Sequence, residues 1–477
     1  MHANGNYIYI ADGISGDFGF LIGGQSAKES SFNTITINGG TTIDYLYGST
    51  ETKVSNDNII DIPGGHATIN CIFGGDAQYP EGESLRNFVD IKSAYSGEIG
   101  TIIGGNATRT SSDNRVNITG GLILGSVLGG TGDRAVYNTI RIGYAAQFGP
   151  QAQLFGGQGY VDSFSGNTLE KRNDVLISCD ARVGGNYGVQ NFEYLKFYYD
   201  GAANIASLNT TVRRPTEGIV KIDTDPENNG TGHVITFDGF IKGAGGLQKV
   251  GAGKLILSGQ TEYTGALSVV GGTVVLDGVN QSATSVSVAT GATLAGTGTA
   301  NASGEVTLAG TISPGVNAGA IGKLTFRSGA GFVIKSTAIL SIDLDAVAGA
   351  DVVENFGDIK IEPGAQLLLA DIGGQIQAGD EFTVLSAVGG AISGDFVQGE
   401  FEIQGISFQL VKQPHVGGGG GEDLLLISSR DITYATPAVP EPSVYALCGG
   451  LAALSLAAFR RHRKNRRRAA PGQAWPR

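Results

Sequence analysis

Asp223 and Asp225 stand one residue apart in a turn-rich loop, Asp223-Thr-Asp225-Pro-Glu227-Asn-Asn-Gly230. Two carboxylates at that spacing are the donor type for a hard cation such as Ca2+, which collects oxygen ligands. The same residues also suit an Asx-type turn ahead of the strand that starts at His233. Ca2+ at Asp223 and Asp225 is therefore an expectation beside a plain structural one, and no other cofactor is expected. Gly129-Gly-Thr-Gly-Asp133 comes near a Ca2+-binding nonapeptide repeat but misplaces its Asp by one residue. The five histidines (His2, His66, His233, His415, His462) include no pair spaced to share a metal. The chain has no Gly-x-Ser-x-Gly elbow, no Cys paired with a His and no phosphate loop. Acidic residues are scattered one or two per repeat, so no catalytic carboxylate pair is visible. Catalytic residues: none are expected. Cys71 and Cys179 are expected as buried free thiols, with a pairing of the two outside the cell as the alternative, and Cys448 lies in an apolar run.

The elements that would carry these residues repeat. An Asn followed by an alternating strand recurs at Asn6, Asn33, Asn58, Asn87, Asn114 and Asn138, with a weaker copy at Asn167. Between these Asn strands sits a second apolar run ending in Gly, such as Ile72-Phe73-Gly74-Gly75 and Ile102-Ile103-Gly104-Gly105. Two strands and two turns per unit predict coils of a β-solenoid. Alternation sends Ile and Val inward and Thr, Asp and Arg outward. The Gly pairs are expected at corners with positive φ. The repeated Asn is expected to stack as a side-chain ladder, with a row of ligand-binding amides as the alternative. Tyr7 and Tyr9 face outward on one choice of strand face, where they could stack on sugar rings.

The chain has 477 residues, of which 77 are Gly, and 16% are charged. No Gly-X-Y period exists, so collagen is excluded. Low charge with β-branched residues throughout excludes disorder. Net charge is -12, with about -19 on residues 1–440 and +8 on residues 460–477. An acidic body excludes nucleic acid as a partner.

From Gly246 the style changes. Gly246-Leu-Gln-Lys-Val-Gly-Ala-Gly-Lys-Leu-Ile-Leu-Ser-Gly259 leads to Tyr263-Thr264-Gly265 and then Gly271-Gly272-Thr273. This stretch resembles the autotransporter-associated β-strand repeat. The resemblance implies an all-β fold, a right-handed parallel β-helix of the passenger type. An autotransporter also carries a series of outer-membrane strands, and this chain ends instead in an apolar run and Arg residues.

That end reads Pro440-Glu441-Pro442, an uncharged run at 443–459, and a basic block with Arg460, Arg461 and Arg463. As a helix the run would span roughly 26 Å, the short end of what crosses a bilayer. The basic block sets its orientation, with the body outside the inner membrane. The segment resembles the PEP-CTERM sorting domain of Gram-negative bacteria. The resemblance implies processing by an exosortase-type membrane enzyme near Pro440 and a mature protein at the cell surface or in the exopolysaccharide matrix. The chain opens without a signal peptide, and Met1 falls near the start of a repeat unit, so a truncated or misplaced start is expected.

The expected organisation is β-solenoid repeats over 1–174, an irregular transition over 175–245 and a passenger-like β-helix over 246–413. A Gly-rich hinge, last strand and linker follow over 414–439. The sorting signal with a single C-terminal transmembrane helix spans 440–468, and a basic tail end spans 469–477. The expected function is a structural or adhesive surface protein, not an enzyme, that could contact exopolysaccharide or surface glycans. The alternative is a polysaccharide-active β-helix enzyme.

Overall fold

The computed structural model describes residues 2–159, 165–179, 187–211, 218–317, 319–373, 376–397, 400–403, 406–416 and 420–428. The sorting residues Pro440, Glu441, Pro442, Arg460, Arg461 and Arg463 and the apolar run 443–459 lie outside them, as do Cys448 and Gly417–Gly419. Among the described residues no helix is long and apolar enough to cross a membrane.

The chain winds as a parallel β-solenoid. Its first wall is a ladder of sixteen strands among the described residues, running in chain order from Tyr7–Ile10 and Thr34–Ile37 to Ile392–Ser393. Parallel strands stack about 4.8 Å apart, so each coil satisfies its backbone on its neighbours. The register is direct: Ile8 pairs Ile35, Ile35 pairs Ile60, and Val89 pairs Val116. Ile35, Ile37, Ile60, Ile62, Val89 and Ile91 are fully buried, while their neighbours point out. The inward Ile and Val expected from the alternation thus form the core, each burial favouring the fold by roughly 1.5–3 kcal/mol.

A second wall stacks Asp17–Ile22, Thr42–Tyr47, Thr68–Phe73 and Glu98–Ile103. The third wall changes along the axis. Early coils use the short strands Val54–Asn56, Glu83–Leu85, Thr110–Ser112 and Arg134–Val136. Later coils use a longer sheet that begins at Gly201–Ala202 and Val234–Phe237 and includes Lys254–Leu257. The stretch 175–245, expected to be an irregular transition, still carries first-wall rungs. Tyr194–Phe197 pairs Thr168–Lys171 on one side and Ile219–Asp223 on the other, and the latter pairs Gly246–Val250. The first wall therefore continues unbroken through it.

The repeated Asn residues form a buried ladder. Asn6 Nδ2 donates to Asn33 Oδ1 at 2.7 Å, Asn33 to Asn58 and Asn58 to Asn87 at 2.8 Å, and Asn87 to Asn114 and Asn114 to Asn138 at 3.0 Å. Each backbone N–H donates to the same acceptor, and Asn138 N reaches Asn167 Oδ1 at 2.9 Å. Asn33 through Asn167 are fully buried at these positions. The ladder reading holds, and a row of amides free to bind a ligand does not.

The corners differ from expectation. Positive φ falls on the residue just before each ladder Asn: Gly5, Phe32, Asp57, Arg86, Asp113, Tyr137 and Gly166, between 55° and 74°. That left-handed residue turns the chain so that the Asn side chain points inward. The Gly pairs keep ordinary φ. They are glycine because coils approach closely there: a Cβ on Gly48 would lie 2.1 Å from Gly74 O, and one on Gly74 would lie 2.2 Å from Gly104 O.

The last coils close with antiparallel strands. Gly421–Ser428 folds back between Glu381–Val388 and Ile406–Pro414. The end of the solenoid is thereby covered, as stacked-repeat folds require. At this cap His415 Nδ1 lies 2.9 Å from Asp423 Oδ1 and 3.2 Å from Ser386 Oγ. The residue types match a hydrolase triad, but one ring nitrogen faces both partners. A triad needs the Ser on the opposite nitrogen from the Asp. Ser386 and Asp423 are also buried, so the cluster acts as a polar clasp for the cap.

Candidate binding groove and aromatic face

The second wall presents large side chains outward in register. Phe20 pairs Tyr45, and Ile22 pairs Tyr47, which pairs Phe73; the column continues through Ile103 and a buried Leu128 to Phe155. The Phe20 and Tyr45 rings stack at 5.3 Å and the Tyr47 and Phe73 rings at 4.7 Å, with interplanar angles of 14° and 8°. Parallel in-register coils place like rings one rung apart, and the apolar faces gain contact beyond simple burial. Phe20 is 64% exposed and Tyr45 41%, so the strip faces solvent. Burial pushes the Tyr47 phenol up to about 12, with Asp76 adding to the effect. Tyr7 and Tyr9, on the first wall, also face outward, at 66% and 54% exposure.

Cys71 follows Tyr45 in its column. It is free and half-buried, and burial lifts its thiol to about 11. Its expected full burial is not met, because its strand position faces out. Cys179 is buried, as expected.

A second column runs beside the aromatic one, just past the Gly pairs. Gln25 bridges Thr50, Asp76 pairs Asn106, Asn106 bridges Thr131, and Thr131 bridges Gln158. The column is tied by hydrogen bonds. Thr50 Oγ1 donates to Asp76 Oδ2 at 2.7 Å, Asn106 Nδ2 donates to Asp76 Oδ1 at 2.8 Å, and the Thr131 hydroxyl donates to Asn106 Oδ1. Asp76 is buried, and desolvation raises its carboxyl pKa above the usual range despite these donors.

Two open hollows lie along this column. One of about 540 Å³ includes Asn106, Thr131, Asp133 and Gln158 in its lining. The other, about 430 Å³, includes Phe155, Gln158, Gln190 and Asn209. Both include Gln158 and Gly159, so they form one groove. Among the described lining residues its chemistry is amide and hydroxyl with one aromatic ring, Phe155. Among the described lining residues Asp133 carries the formal charge, and no Lys or Arg lines it. The sequence did signal this column: the residue after each Gly pair is polar at Gln25, Asp76, Asn106, Thr131 and Gln158. Reading the Gly pairs as corners hid it.

Asp223 and Asp225 lie elsewhere, at the end of a first-wall strand. Asp223 Oδ1 accepts Asp225 N at 2.9 Å, and the Asp225 carboxylate accepts Asn229 N at 3.1 Å and Gly230 N at 3.0 Å. The carboxylates thus cap their own loop. Lys249, fully buried next to them, donates to the carbonyls of Val250 at 2.8 Å, Gly251 at 2.7 Å and Gly271 at 3.1 Å. Burial lowers its ammonium to about 8, against the attraction of Asp223 and Asp225. An ammonium already sits near the acid pair. Among the described residues no group of three or more His, Cys, Asp or Glu is placed to hold a metal.

The passenger-like motif acquires physical roles here. Lys249 ties three carbonyls at a corner. Gly251 and Gly272 take φ of 78° and 65°, and Tyr263 is fully buried in the core.

No protein-family model matches the chain. The adhesin BmaC autotransporter of Brucella suis biovar 1 (strain 1330) is 41% identical over 83 residues, which is 17% of this chain and 2% of the adhesin. An extracellular serine protease of Serratia marcescens is 29% identical over 201 residues, which is 41% of this chain and 18% of the protease. The matches span a small fraction of the length of these curated relatives. The chain is an all-β parallel solenoid with distant similarity to an autotransporter adhesin and to an extracellular protease.

Proposed function

We propose that this chain is an exported bacterial surface or matrix protein, a structural or adhesive solenoid rather than an enzyme. The observation that carries this reading is the outward strip of Phe20, Tyr45, Tyr47 and Phe73 on a regular parallel solenoid. Contiguous surface rings, exposed at Phe20 and Tyr45 and half-buried at Tyr47 and Phe73, mark a contact surface, and the coil stack holds them at fixed spacing. The partial similarity to an adhesin and to an extracellular protease supports an extracellular place.

Sorting belongs to the same proposal. Pro440-Glu441-Pro442, the run 443–459 and the block containing Arg460, Arg461 and Arg463 suit an exosortase-type enzyme of a Gram-negative bacterium. The run would hold the chain in the inner membrane only until processing. Exopolysaccharide or surface glycans are the proposed contacts.

The test is surface shaving of intact producing cells, with peptides from residues 1–428 sought in the released fraction. Their appearance there supports the reading. Confinement to the cytoplasm contradicts it.

A further inference from the structure

We infer that the groove lined by Asn106, Thr131, Gln158 and Gln190 binds an uncharged polysaccharide laid along the solenoid axis. This deepens the surface-protein reading above and rests on it for the biological setting, though not for the binding itself.

The lining chemistry selects the ligand class. Amides and hydroxyls exchange hydrogen bonds with neutral hydroxyl groups, and Phe155 supplies an apolar face for a sugar ring. Among the described lining residues there is no Lys or Arg to receive phosphate, sulfate or uronate groups. The body around it is strongly acidic, which repels polyanions. Among the described lining residues a polycation would meet Asp133 alone, since Asp76 is buried and bonded to Thr50 and Asn106.

The geometry selects a polymer. Asn106, Thr131 and Gln158 occupy one position on three successive coils. Phe155 of the third coil pairs Gln190, which pairs Asn209 on the next, so the groove crosses five coils. At about 4.8 Å per coil that is roughly 19 Å. A chain along the axis meets a new polar group at each rung, at a spacing close to that of successive sugars in an extended glycan. Among the described residues the Gln158 and Gln190 side-chain amides take no protein partner, whereas Asn106 and Thr131 are held in place by the column. Two free amides beside two fixed groups suit a ligand that supplies the missing partners.

The test is titration calorimetry on the purified chain with cellohexaose, laminarihexaose and maltohexaose, and with hexaguluronate as an anionic control. At least one neutral hexasaccharide is expected to bind saturably, with an affinity that salt leaves unchanged. Its disaccharide should bind at least about tenfold more weakly. The double variant Gln158→Ala/Gln190→Ala, which touches exposed and half-exposed side chains, should keep its melting temperature and lose about tenfold in affinity, the loss of two neutral hydrogen bonds. Binding of none of the neutral sugars overturns the inference. So does binding of hexaguluronate alone with steep salt dependence, or a double variant that binds as tightly as the parent. A chain displayed on the surface that fails this titration leaves the surface reading standing, and a chain that binds but stays in the cytoplasm overturns only that reading.

Discussion

A Cβ placed on Gly105 would come 2.4 Å from Nδ2 of Asn114, a buried ladder amide. The same contact recurs one coil away on either side, with Gly75 against Asn87 Nδ2 at 2.6 Å and Gly130 against Asn138 Nδ2 at 2.9 Å. The two repeats in the sequence, Gly pairs and Asn strands, are two sides of one contact. The glycine leaves the space in which the amide closes its hydrogen bonds.

Gly105→Ala should therefore destabilise the chain by about 1–3 kcal/mol through overpacking. Gly19, on the second wall with ordinary φ and nothing within 4 Å of its Cβ position, is the control. Gly19→Ala should change stability by no more than about 0.5 kcal/mol. Urea unfolding of the two variants checks both. Equal effects would remove the steric account of the Gly column.

The ladder itself is a source of stability. Asn114 accepts from the backbone and side chain of Asn87 and donates to Ser84 O, Ser111 Oγ and Asn138 Oδ1, all near 3.0 Å. Asn114→Ala strands buried donors and acceptors on three coils. The expected loss is about 2–4 kcal/mol, read as a lower urea midpoint. An unchanged midpoint would mean that the rungs do not depend on the amides.

Lys171 gives the chain a pH dependence. It is buried and donates to Val175 O at 2.8 Å and Ala203 O at 2.7 Å. Burial lowers its ammonium from 10.5 to about 7, partly offset by Asp174. Between those values the unfolded chain keeps a proton that the folded chain has released, so stability rises with pH across that window. Lys249, lowered to about 8, acts in the same direction. The melting temperature should rise from pH 7 to pH 9, below the range where the raised Cys71 thiol would oppose it. Lys171→Met should flatten that rise. A melting temperature that falls over this range, or a variant with the parent's slope, contradicts the assignment.

The Asp223–Asp225 loop is closed by its own backbone, with Lys249 close by. Added CaCl2 followed by EDTA should leave the melting temperature unchanged, because a ligand stabilises only what binds it. A Ca2+-dependent rise that Asp225→Asn abolishes would establish a cation site there.

The coil architecture was legible because strand alternation and a repeated Asn are local patterns. Thr34–Ile37 and Phe88–Tyr95 place Ile and Val inward as their spacing dictates. What was not legible depends on contacts between coils. Positive φ settled on Phe32, Arg86 and Tyr137, residue types that give no turn signal, because the buried Asn beside each one fixes the backbone. The rungs at 194–197 and 219–223 were hidden by an irregular sequence whose pairing partners lie about one coil away. The groove joins Phe155 to Gln190 through register alone, and register is not written in either segment by itself.

The measurement that bears most directly on the central claim is protease shaving of intact producing cells, followed by mass spectrometry of the released peptides. The account predicts peptides from the solenoid, including the Phe20–Phe73 face, in the shaved fraction while a cytoplasmic marker stays intact. Solenoid peptides recovered only after lysis would contradict it.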